Sequence, residues 1–145
     1  RRYPYNNDGA SSAMTGLTLA VTPPQIYAAL VEATAFGQKR IISELLEKGV
    51  KIGRIIAVGG IAQKSDYVMQ TLCDVLQFPI DVSPVQQACA CGAAIYASVA
   101  AGFYDSIEQA QAKICSPCTK TYTPNPEKAV VIFNNWETKH ILKEL

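Results

Sequence analysis

The chain is 145 residues long, 49% hydrophobic and 17% charged, with a formal net charge of +1. That size and balance fit one domain, or a piece of a longer protein, and exclude a disordered polymer. Near-neutral charge without a Lys/Arg cluster speaks against nucleic acid as the main partner, and the longest apolar runs are too short to span a membrane.

The chain opens RRYPYNNDG, with Arg1 in place of an initiator methionine and no charged-then-apolar signal segment. Residues 1–22 read as a loop lead-in, continuing from a region upstream, that ends in the apolar stretch LTLAV (17–21). Thr22-Pro23-Pro24 starts a helix: Thr22 can cap, and proline suits the first turn, where its missing N–H costs nothing. The helix is expected over 24–48, with Ile26, Leu30, Ala33, Gly37, Ile41 and Leu45 as its apolar stripe and Gly49 as its stop.

RIIAV (54–58) is a short continuous apolar run, the pattern of a strand buried on both faces. It ends in Gly59-Gly60, followed by a polar turn and then a helix that Ser65 or Asp66 can cap. Val68, Leu72, Val75 and Leu76 form that helix's apolar side, and Pro79 closes it. PIDVS (79–83) is the next strand. ACACGAAIYASVAAG (88–102) is a third helix of small residues stopped by Gly102, and Ser106 with Gln109 makes a capping box for a fourth ending near Ile114. A Pro/Thr-rich linker, 116–126, leads to a last helix from about Pro126, on which Ala129, Phe133, Trp136 and His140 share one face. Helix and strand alternate, which implies parallel strands joined by crossovers, with ligands at the carboxyl ends of the strands.

Gly59-Gly60 sits at such an end. Neither GxGxxG nor GxxxxGK[ST] is present, and a bare glycine pair taken alone suits a tight turn better than close approach of a ligand to backbone. Around it lie a helix N-terminus, which favours an anion, and Lys64, which could add a cation. The small residues Ala88, Ala90, Gly92, Ala93 and Ala94 permit close approach of backbone, or simply helix packing. The five cysteines, an odd count without a signal segment, read as reduced thiols in a cytoplasm. Cys115-Ser-Pro-Cys118 has CxxC spacing but follows a helix instead of opening one, so it reads as plain thiols; Cys89 and Cys91 read as small buried packing residues.

Three stretches, EATAFGQKRII, AVGGIAQKSDYVMQTLCDVLQFPIDV and QACACGAAIYASVAAGFYDSIEQAQ, resemble the C-terminal part of the FGGY family of carbohydrate kinases, nearest to its ribulose-phosphorylating members. The resemblance runs in order over residues 1–115. It implies an α/β fold: the C-terminal portion of an actin-like ATPase (ribonuclease H-like) domain, parallel strands with covering helices. Residues 23–115 would belong to the nucleotide-binding lobe and 116–145 would be linker and C-terminal helix. In such a domain three antiparallel strands precede the long helix, and one of them pairs with the strand at 54–58.

The resemblance further implies a nucleotide site at Gly59, Gly60, Ile61, Ala62, Lys64 and Ser65, with Gly60 against the adenosine and α-phosphate region. Gly92 and Ala93 would lie in the interdomain connector. The implied reaction moves a phosphoryl group from ATP with Mg²⁺ to a terminal hydroxyl of a ketopentose, L-ribulose to L-ribulose 5-phosphate, in arabinose breakdown. Xylulose, gluconate or glycerol as substrate, or a noncatalytic nucleotide-binding module, are the alternatives. No catalytic residue is expected among these 145: the family's aspartate base, phosphate turns and most of the sugar site lie upstream. Asp66 is expected as a helix cap, Asp74 on a helix and Asp81 in a strand. The exposed edge of RIIAV is expected to drive self-association, or to be covered by LTLAV folding back.

Overall fold

A computed structural model describes Gly9 and residues 12–137, with side chains as far as residue 133. The described chain divides into two units. The first holds the chain up to Gly53, Thr71–Phe78 and Pro124 onward; the second holds Arg54–Gln70 and Pro79–Thr123.

The first unit is helical. Helix α1 is Pro23–Glu47, within a residue of the expected span. Thr22 caps it in extended conformation and gives its N–H to the Gln25 side-chain carbonyl at 2.9 Å, the reciprocal half of a capping box. Gly49 ends it with φ +82, a left-handed conformation that favours glycine. The expected apolar stripe is only partly covered. Val31, Ala35 and Phe36 are buried, whereas Leu30, Ala33 and Gly37 are exposed. Ile26, Ile41 and Leu45 of the expected stripe are half-buried, and the fully buried positions lie where the helix meets an aromatic cluster. Phe36 meets Phe133 edge-on at 5.6 Å, and Val75 and Leu72 complete the cluster. Lys39 lies over the Phe133 ring at 3.9 Å and donates to the Val75 carbonyl at 3.2 Å. Its burial lowers its pKa from the ordinary lysine value.

Five helices follow α1 among the described residues. The third of the chain, α3 (Asp66–Leu76), runs from the second unit into the first, and the short α2 (Gly60–Lys64) precedes it. Val75 is fully buried as expected, and Met69, Thr71, Cys73 and Asp74 are buried too. Asp74 Oδ1 accepts the Asn125 backbone N–H at 2.8 Å. Asn125 in turn caps α6 (Pro126–Glu137), its side-chain oxygen accepting from the N–H groups of Glu127 and Lys128. Ala129 is buried and Phe133 packs inward; Trp136 and His140, expected on the same face, lie outside the described side chains.

The second unit is built on a sheet in the order β1-β2-β3. Strand β1 (Ile55–Ala57) pairs in parallel with β2 (Ile80–Val82), as the alternation of helix and strand predicted. Ile80 and Val82 are fully covered, but Ile56 is 47% exposed, so β1 is not buried on both faces. Among the described residues β1 is an edge strand. Residues 17–21 form no strand, and Leu17 and Leu19 are exposed.

The linker holds a strand that sequence did not reveal. Strand β3, Lys120–Tyr122, lies antiparallel to β2, with Asp81 opposite Thr121. Helices α4 (Ala88–Ala100) and α5 (Ile107–Ile114) lie against each other. Gly102 stops α4 with φ +78, and Ser106 caps α5 by accepting the Gln109 N–H. On α4, Ala88, Cys91, Gly92, Ile95, Ser98 and Val99 are the covered residues, spaced at three and four. Cys89 lies off that stripe and is exposed, and Cys91 is half-buried on it, so neither is the buried packing residue expected.

Candidate functional site

At the carboxyl end of β1 the chain leaves Ala57 through Val58 into Gly59. Gly59 has φ +92 and ψ 178, a combination essentially confined to glycine. This residue makes the turn. Gly60 is different: its φ is not in the left-handed region, and a Cβ built on it would meet nothing within 4 Å. Neither the backbone nor a neighbour within the described chain requires a glycine there.

Gly60 opens α2, a single helical turn and a half where the sequence reading placed a loop. Ile61 is 68% exposed and Lys64 is exposed, while Ala62 is buried and backs the turn. Ser65 is the one residue between α2 and α3, with φ −123 and ψ 93. Its N–H returns to the Ile61 carbonyl at 3.0 Å and its Oγ accepts the Val68 N–H at 3.4 Å. Ser65 is therefore the residue that caps α3, and the expected choice between Ser65 and Asp66 resolves in its favour.

Two contacts tie this segment to its surroundings. Gln63 Nε2 donates to the Ser83 carbonyl at 3.2 Å, and Ser83 N–H bonds the Ala57 carbonyl at 3.0 Å. The segments leaving the parallel strands β1 and β2 are thereby joined into one rim, the position at which parallel sheets take ligands. The second contact is at Asp66, which is not a cap. Its Oδ1 accepts from Lys120 Nζ and from the Tyr122 hydroxyl, both at 2.8 Å. Those two donors hold the Asp66 carboxyl below its ordinary range, and Asp66 together with the tyrosine raises Lys120.

Asp81, in β2, is engaged as well. Thr121 Oγ1 donates to it and Arg54 Nε lies at 2.6 Å, and these two hydrogen bonds lower its pKa. A carboxylate held low and already bonded is a poor proton acceptor. The three aspartates named from sequence are thus structural: Asp66 and Asp81 tie β3 to the rest of the unit, and Asp74 holds the approach to α6.

The remaining sequence candidates do not join the rim. Gly92 is half-buried and Ala93 exposed, both on α4. Cys115 lies beside Cys91, and none of the five cysteines forms a disulfide. Desolvation, with the adjacent Cys91, raises the Cys115 thiol above its ordinary pKa, opposite to the lowered thiol of a redox CxxC. Sequence reasoning missed Gln63, Lys120 and Tyr122. The alternation Thr119-Lys120-Thr121-Tyr122-Thr123, rich in β-branched and aromatic residues, was the available signal for a strand.

The family description "FGGY family of carbohydrate kinases, C-terminal domain" matches residues 1–101. A ribulokinase of Vibrio parahaemolyticus is 48% identical over 127 residues, covering 88% of this chain and 22% of the relative. A ribulokinase of Bacillus licheniformis is 45% identical over 118 residues, covering 79% of this chain and 21% of the relative. Among solved structures, xylulose kinase from Rhodospirillum rubrum matches with a TM-score of 0.73 at 28% identity, over 92% of this chain and 27% of that one. The chain thus spans about a fifth of the length of the curated relatives it matches.

Proposed function

Because the chain belongs to the FGGY family of carbohydrate kinases, and carries the corresponding part of the actin-like ATPase fold, we propose that it supplies the nucleotide end of an ATP-dependent sugar kinase's active site. The sugar proposed is a ketopentose, L-ribulose, phosphorylated to L-ribulose 5-phosphate. Identity of 48% and 45% to relatives named ribulokinase supports this over the 28% to a xylulose kinase.

The observation that carries the nucleotide reading is the contrast within the glycine pair. Gly59 is needed by its own backbone; Gly60 is not, yet it lies exposed on the rim beyond two parallel strands. A glycine with no internal requirement at that place suits a ligand lying flat against bare backbone. Gly59 shapes the turn, Ile61 and Lys64 face outward beside it, Ala62 backs it and Ser65 sets the joint to α3. Gly92 and Ala93 are assigned to the connector between lobes.

Asp66, Asp74 and Asp81 do not serve as the base that takes the sugar hydroxyl's proton, since each is bonded within the fold. That step belongs to the rest of the complete kinase. Among the described residues no group of three His, Cys, Asp or Glu comes together as a metal site, and no step is routed through Mg²⁺ here. What this chain does is bind and orient; phosphoryl transfer depends heavily on positioning.

The test is Gly60→Val in the complete kinase. A branched side chain would occupy the space meant for nucleotide, so the KM for ATP is expected to rise while that for the sugar stays near wild type. Equal loss for both substrates in a folded variant would refute the assignment.

A further inference from the structure

The glycine turn is held at three points, and the third lies beyond the span that the family description matches. β1 is fixed in the sheet, Gln63 is bonded to the segment after β2, and Asp66 is clasped by β3. Between the first and last of these run Val58–Ser65, including both glycines and the single-residue joint at Ser65. Residues 1–101 match the family, whereas Lys120 and Tyr122 do not fall within that stretch.

We propose that Lys120 and Tyr122 are positioning residues for the nucleotide turn, acting through Asp66. This rests on the reading of the turn given above. The geometry favours it over a role in bulk stability. Lys120 and Tyr122 are alternate residues of β3, with Thr121 between them aimed instead at Asp81. Both therefore reach one carboxylate oxygen, Asp66 Oδ1, from the same face of the strand. Lys120 also lies 4.6 Å from the Tyr122 ring centroid, so the two donors steady each other. The side chain of Asp66 is 76% exposed and that of Lys120 48% exposed, and pairs so open to water add little to folding. Their effect is on place and charge. They fix the first residue of α3, and so the outer end of α2. They also neutralise a carboxylate that would otherwise oppose an anion at the turn.

Lys120→Met, Tyr122→Phe, Asp66→Asn and the Lys120→Met/Asp66→Asn pair, made in the complete kinase, test the inference. Lys120→Met is expected to raise the KM for ATP about two- to fivefold, the range of an exposed charge pair, with the sugar KM and the unfolding midpoint near wild type. Lys120→Arg should restore most of it. The pair should be no worse than its worse member, since both remove one interaction. Amide hydrogen exchange over residues 60–66 should quicken in Lys120→Met and Tyr122→Phe. Unchanged exchange there would overturn the proposal, whatever the kinetics. Quickened exchange with an unchanged ATP KM would overturn it too. In that case Gly60→Val identifies the fault: a raised ATP KM in that variant leaves the nucleotide reading standing and the positioning role of Lys120 and Tyr122 refuted, and an unchanged one removes both.

Discussion

At the scale of single residues, the chain separates positions that serve its own backbone from those that face outward. Gly59 and Gly60 are neighbours with different reasons to be glycine, and only the φ of +92 at the first is explained from within. Asp66 and Asp81 serve the fold as well: both carboxylates are engaged by β3. Asp81 allows a pH test. Hydrogen bonds from Thr121 and Arg54 depress its folded pKa. The stability it contributes is therefore present above the ordinary carboxylate range near pH ~4 and is lost as pH falls through the lower folded value. In urea titrations, wild type should exceed Asp81→Asn at neutral pH, with the gap closing only on acidification below about pH 4. A gap of constant size down to strong acid would show that the charged form is not what matters.

At the scale of elements, the helices were the most legible part. Thr22-Pro23, Gly49, Gly102 and Ser106 mark ends by local chemistry, and the structure sets them within a residue or two of the expected places. Facing was less legible. Helix α1 is apolar on several sides, so its periodicity left open which stripe would be covered, and the Phe36–Phe133 contact across distant sequence decided it. Strand β3 was hidden for a related reason. Three residues between prolines look like linker, and what makes them a strand is the partner β2 and the two aspartates they reach. Strand β1 has the opposite character: obvious in sequence, but with one edge bare among the described residues and Ile56 half-exposed. Such an edge invites pairing with another copy. Light scattering on this chain should show mass rising with concentration, and Ile56→Lys should suppress the rise. A wild-type chain that stays monomeric throughout would contradict this.

At the scale of the whole molecule, parallel pairing of β1 with β2 was legible from the alternation of helix and strand, and it placed Gly59-Gly60 at a carboxyl end. The part of the site that closes over long range was not legible. Gln63 meets Ser83 twenty residues on, and Lys120 meets Asp66 across fifty-four. Neither contact leaves a local pattern. The chain spans 22% of the length of its Vibrio relative, and it is a positioning piece in this account: it offers nucleotide a bare-backbone rim and leaves proton removal to the remainder of the kinase. The most direct measurement is amide hydrogen exchange across Gly59–Ser65 in the complete kinase, taken without ligand, with ADP, and with sugar alone. Exchange over Gly59–Ser65 should slow with ADP and not with the sugar by itself. Slowing by sugar alone, or no slowing at saturating ADP, would contradict it.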